Sequence, residues 1–256
     1  LGTRQFNAHS LVANISVHFF TLARSGAVLL AFLVITPTSL KASQNTDADQ
    51  LQKSIDQTIS RARNYINDPG ILVDIMDTLG PVADDPRVLS FCAEIVDKST
   101  NSASIVHAVQ MLNGIANRYS KDNKERQKIA GFILKAARKD DEFVQLQSYD
   151  ALSSMEGRYR HEAHEGYKRI LSAKYQPQDE KRHKTNCVFT VQSFLRSSPL
   201  DTADIAVIRT ETERMGLVNF YKKVIFNRDS KSAEESSQRF LDEWLAVVDS
   251  KSASNL

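Results

Sequence analysis

From Thr46 onward apolar residues recur every three to four positions, and almost every break in that rhythm carries a proline, a glycine or a polar cluster. The spacing predicts helices over about 46–66, 70–79, 85–98, 102–118, 121–138, 141–155, 160–174, 178–196, 200–226 and 232–249. No segment alternates apolar and polar positions as a half-buried strand does. Pro69, Pro81, Pro86, Pro177 and Pro199 all fall between periodic segments, where proline's fixed φ and missing N–H end a helix or open one. Capping residues agree: Ser120 precedes KDNKE, Asp140 and Asp141 precede EFVQL, and Ser230 to Ser232 precede AEESSQRFL. The expected fold class is all-α.

Taken in pairs, these helices form five hairpins beginning near 46, 85, 121, 160 and 200, so the period lies between 36 and 40 residues. Side-chain type repeats with it. SIVHAVQMLNGI and VQLQSYDALSSM superpose at an offset of 40, pairing Val106 with Leu146, Val109 with Tyr149, Leu112 with Leu152 and Ile115 with Met155, while Ile95, Ile133 and Leu171 recur 38 apart. A two-helix unit of about 40 residues, with the phrase KDDEFVQLQSYDALSSM, resembles the HEAT-type repeats. The resemblance implies a right-handed α-solenoid in which stacked hairpins share one core, with Trp244, Leu241, Leu245, Val248 and Phe240 closing the C-terminal end.

Charge changes the picture by segment. Arg4, Arg24 and Lys41 precede the first acidic residue, Asp47, so the formal +2 becomes 30 basic against 31 acidic residues from Ser43 on. That balance argues against a nucleic-acid partner, which selects a basic field. Residues 1–42 read as a leader: Arg24, the apolar run GAVLLAFLVI and a small-residue region ending at Ala42. Residues 1–16 read as an extension ahead of a start at Val17. The run is shorter than the roughly 20 residues of a bilayer span, so the expected product is a single domain, 43–256, in the periplasm or outside the cell; an uncleaved anchor is the rival reading. Cys92 and Cys187, the two cysteines, lie among apolar residues and read as buried free thiols.

The stretch RYRHEAHEGYKR, Arg158 to Arg169, concentrates candidate chemistry. At 100° per residue Ala163, Tyr167, Ile170 and Leu171 face inward, His161, Glu165 and Lys168 outward, and His164 sits on the flank. The order of His161, His164 and Glu165 matches neither His-Glu-x-x-His nor His-x-x-Glu-His. His183 lies ~8 Å out of axial register with His164 across the hairpin, given ~1.5 Å of rise per residue. No metal and no cofactor is expected. What remains is a local field: residues 158–184 hold eight basic against four acidic side chains. Arg158, Arg160, His161, His164, Lys168 and His183 therefore form a candidate binding ridge for an acidic protein or polymer.

A second candidate surface is the concave wall that second helices form in stacked solenoids, lined here by His107, Gln110, Met111, Gln147, Asp150 and Ser154. Contiguous catalytic motifs are absent: no Gly-x-Ser-x-Gly, Ser-x-x-Lys, phosphate-binding loop or Cys-x-x-Cys. The expected function is that of a scaffold or adaptor that binds without turnover. The alternatives are a helical hydrolase or lyase acting on an envelope polymer, with Glu162, Glu165 or His161 as acid or base, and a helical subunit of a larger assembly.

Overall fold

The computed structural model describes residues 37–120, 123–155, 157–197 and 199–249. The chain divides into two compact units, residues 1–50 and 51–256. Most of the expected leader lies outside the described residues. The first described helix, α1, spans Pro37–Arg63 and so begins well before the expected residue 46. Ten more follow: α2 (Pro69–Leu79), α3 (Pro86–Lys98), α4 (Ser102–Ala116), α5 (Lys124–Ala136), α6 (Glu142–Ser153), α7 (Arg158–Leu171), α8 (Glu180–Arg196), α9 (Thr202–Met215), α10 (Leu217–Phe220) and α11 (Lys231–Asp249). No strand occurs among the described residues, and the fold is all-α.

Local chemistry explains most boundaries. Pro69 and Pro86 open α2 and α3 behind the caps Asp68 and Asp85, whose carboxylates accept from Ile71 N and Arg87 N. Asp141 caps α6 by accepting from Val144 N, and Ser230 Oγ accepts from Ala233 N ahead of α11. The cap of α5 is Asn123, which accepts from Glu125 N, rather than the expected Ser120. The long helix expected over 200–226 is broken: α9 ends at Gly216, which adopts φ +62, a conformation that glycine enters without steric penalty. The chain then passes through α10 and a π-helical turn at Tyr221–Ile225. Apolar periodicity continues through Met215, Leu217 and Tyr221, all buried, and for that reason masked the break.

Within residues 51–256 consecutive helices from α3 to α8 pack on one another, and most helices also pack on the next but one, an arrangement consistent with a helical repeat. Helices α2, α4, α6 and α8 form one row, with α10 and α11 against α8; in the other row α3 packs on α5, and α7 on α9. First helices of successive hairpins begin at Pro86, Lys124, Arg158 and Thr202, separations of 38, 34 and 44 residues. The residues paired at an offset of 40 are all buried, as are Ile95, Ile133 and Leu171. At the C-terminal end Trp244 is fully buried and donates to Thr212 Oγ1 at 3.0 Å, with Tyr221 and Phe240 packed about its indole.

Polar bonds tie the same row together at the N-terminal ends of its helices. Asn67 Oδ1 accepts from Thr100 N and the Ser99 hydroxyl. Ser102 then donates to Asp141 at 3.0 Å, and Glu142 meets His183 and Asn186 at the start of α8. Partners in this ladder lie 32 to 44 residues apart, one repeat, so each bond joins equivalent points of adjacent hairpins.

Candidate functional site

The six ridge residues do not form one surface. Arg158 and His161 are exposed and Arg160 is half-buried, its Nε enclosed without a hydrogen-bond partner. Lys168 is half-buried and engaged by Glu165 and, at 3.4 Å, by Asp204. His164 and His183 are buried, at 7% and 1% exposure, which removes both from the expected ridge. The physical reason for His164 is that α7 is covered on two sides, by α6 and α8 and again by α9; His183, on α8, is covered by α6 and by Tyr175, which stacks on its ring. Ala163, Tyr167, Ile170 and Leu171 are buried as expected, but the covered face is wider than that stripe and takes in His164.

His164 reaches two elements at once. Its Nδ1 lies 2.8 Å from Asp204 Oδ2 on α9, and its Nε2 lies 3.0 Å from Ser197 Oγ at the end of α8. These are the spacings of a Ser-His-Asp catalytic relay. The hydroxyl of Ser197, however, donates to the Phe194 carbonyl at 2.8 Å, so its oxygen is left to accept from His164 rather than to be activated by it. Asp204 belongs to the α9 capping box with Asp201. Burial would raise its carboxyl, but the hydrogen bonds from His164 and the Asp201 N–H, with the charges of His164 and Lys168, hold it below the usual carboxylate range. The group is a buried strut joining α7, α8 and α9.

His183, in the first turn of α8, is likewise paired with a carboxylate. Nδ1 lies 2.8 Å from Glu142 Oε1, Nε2 lies 3.4 Å from Cys187 Sγ, and the ring stacks on Tyr175 at 4.5 Å. Bonding to His183 and Asn186 keeps Glu142 ionised below its ordinary range despite burial. Burial, with the Glu142 and Glu211 charges, pushes the Cys187 thiol up to about 12. A thiol so held is not a nucleophile at neutral pH. Cys92, buried and also free, is pushed up to about 12 by burial.

Beside this second network lies a cleft of about 480 Å³, bordered by Arg138 beyond the end of α5, by Glu142, Gln145 and Tyr149 of α6, and by Glu162 and Arg169 of α7. Its wall is built on a close approach. The ring of Tyr149 lies against Gly166, where a Cβ would sit 2.4 Å from three ring carbons. The tyrosine hydroxyl accepts from Arg169 at 2.9 Å, which aims that guanidinium along the cleft.

The six residues expected on the second-helix surface lie together. On α4, His107, Gln110 and Met111 are half-buried; on α6, Gln147 is half-buried and Asp150 is exposed, as is Ser154 at its C-cap. Ser154 donates to Asn113 Oδ1 at 3.2 Å, which binds the two stripes side by side, and His107 faces Asp77 of α2 at 4.0 Å. Burial lowers the His107 pKa, partly offset by the Asp77 charge. The stripe residues point to solvent at half-exposure, the state of side chains that can contact a partner without leaving the core.

Sequence reasoning missed Ser197, Asp204 and Glu142. Each is 33 or more residues from its histidine, so contiguous motif searches pass over them. The repeat period itself was the available signal, because 164 to 204 and 142 to 183 are one repeat apart. No group of three or more His, Cys, Asp or Glu is placed to hold a metal among the described residues, and no described helix is long and apolar enough to cross a membrane. No protein-family model, no curated protein and no solved structure matches the chain.

Proposed function

We propose that this chain is an exported binding protein built from HEAT-like repeats, stacked as a right-handed solenoid, that recognises another protein without turning it over. The second-helix row supplies the recognition surface. One observation carries the reading: stripes from consecutive repeats, His107, Gln110 and Met111 beside Gln147, Asp150 and Ser154, stand next to one another, half-buried or exposed and, Met111 apart, polar. A partner lying across the hairpins meets the same helix position in each, as repeat proteins permit. Arg158 and His161, exposed at the start of α7, are what remains of the basic ridge as an auxiliary contact. An acidic polymer is the second partner class that such a ridge would take.

The test is recovery of a stoichiometric partner by the tagged chain from its exported fraction, compared across two variants. Gln147→Lys with Asp150→Lys alters the second-helix row, and Arg158→Glu with His161→Glu alters the ridge. The reading expects loss in the first variant and at most weakening in the second. Retention by both, with folding intact, overturns it.

The rival reading, a hydrolase, draws on the relay spacing at Ser197, His164 and Asp204. Against it stand the burial of Ser197 and the direction of its hydroxyl bond. Its expected acids and bases are no better placed: His161 is exposed on a helix face, and Glu162 and Glu165 are engaged by Arg169 and Lys168. Covalent labelling of Ser197 by a fluorophosphonate in the native protein would reinstate it.

A further inference from the structure

We infer that the cleft between α5, α6 and α7 is a binding site for a small carboxylate with a short apolar chain, a ligand separate from the macromolecular partner. The argument is an inventory of what the polar groups around the cleft already do. Glu142 is saturated, with one oxygen bonded to His183 and the other to Asn186. Gln145 donates to the Lys139 carbonyl and keeps its own amide oxygen free. Arg169 donates to Tyr149 and is ion-paired with Glu162 at 3.7 Å, which occupies that carboxylate and still leaves part of a guanidinium with five donors unused. Arg138 is exposed and has no partner among the described residues. The carboxylates of the cleft are thus occupied, whereas Arg138 is unpaired among the described residues and Arg169 keeps donors to spare, which selects an anion.

The remaining wall selects a chain. Leu134, Ala137, Ile170 and Ala173 line the same space, and about 480 Å³ falls in the range of small-molecule sites. A planar carboxylate matches a guanidinium through two parallel N–H···O bonds. The position of Arg169 is set in advance, because Tyr149 is wedged against Gly166 and bonded to the Ala137 carbonyl as well. Little ordering is left to be done on binding.

The probe is hexanoate, followed by saturation-transfer NMR on the full chain, with acetate and hexylamine in parallel. Hexanoate is expected to bind, acetate more weakly for want of the chain, and hexylamine not at all. Arg138→Glu, at an exposed residue whose melting temperature should match the wild type, is expected to weaken hexanoate at least about tenfold. No hexanoate signal at millimolar concentration, an equal response to hexylamine, or unchanged affinity in Arg138→Glu would each overturn the proposal. None of these results depends on whether the second-helix row binds a protein.

Discussion

Replacing Gly166 by alanine tests the close approach between α6 and α7 in isolation. In a solvent-facing helix this change stabilises by ~1 kcal/mol, because alanine is the better helix former. Here the new Cβ would lie 2.4 Å from Cε1, Cε2 and Cζ of Tyr149, against an ordinary contact of 3.4 Å or more. The ring must therefore retreat by about 1 Å. It is 5% exposed, and its hydroxyl is bonded to Arg169 and the Ala137 carbonyl, so retreat strains the core and loosens both bonds. Overpacking of this kind costs ~1–3 kcal/mol and each bond ~1 kcal/mol. The net expectation is destabilisation by ~1–3 kcal/mol, a fall in Tm of several degrees at ~2–4 °C per kcal/mol. Circular dichroism at 222 nm during urea and thermal unfolding measures it. The decisive comparison is the same substitution in a Tyr149→Ala background, where the obstacle is gone and alanine should stabilise by up to ~1 kcal/mol. A Gly166→Ala variant that is neutral or stabilised with Tyr149 in place refutes the reasoning, and so does a second background in which the sign does not reverse.

Other expectations follow from the same structure. Asp141→Ala removes the cap of α6 and the acceptor for Ser102 and should cost ~1–3 kcal/mol in urea unfolding, whereas Asp141→Asn, which caps as well, should stay within ~0.5 kcal/mol. Equal losses in the two would contradict the assignment. Glu142 and Asp204 are both held below their ordinary pKa in the fold, so the stability they contribute is complete above the unfolded carboxylate range. It is lost as the pH falls through the folded values. Melting curves should therefore be flat near neutrality and decline below about pH 5, and the decline should be shallower in Glu142→Gln. With both thiols buried and pushed up to about 12, a thiol reagent at neutral pH should titrate neither cysteine in the native protein and both after unfolding in urea. Rapid native labelling of Cys187 would mean that the Tyr175 to His183 wall opens.

Helix positions were readable because each depends on neighbours in sequence. Pro69 and Pro86 sit at the first turn of α2 and α3, and the apolar positions of α4 and α6 match at an offset of 40 because both helices bury the same face. The half-buried stripes at His107 and Gln147 followed from that register by subtraction. The errors have a common origin in contacts between non-adjacent elements. His164 and His183 look like surface residues by polarity, yet each is buried against a carboxylate about 40 residues away. The cleft was not legible at all, since it depends on how closely α7 approaches α6. That approach rests on a single glycine, Gly166, in a stretch whose histidines draw the eye instead.

The polar ladder along α2, α4, α6 and α8 has a consequence for how the chain can be rearranged. Its rungs differ: amide to hydroxyl and amide N–H between the first two hairpins, hydroxyl to aspartate between the next, and glutamate to histidine and asparagine after that. Excising α5 and α6 would bring Ser102 against His183 and Asn186 and strip both of their carboxylate, although the apolar faces would still match in size. The hairpins are therefore not interchangeable bricks; an order is written into their ends, and a shuffled or shortened array would assemble with unmet donors at every altered joint.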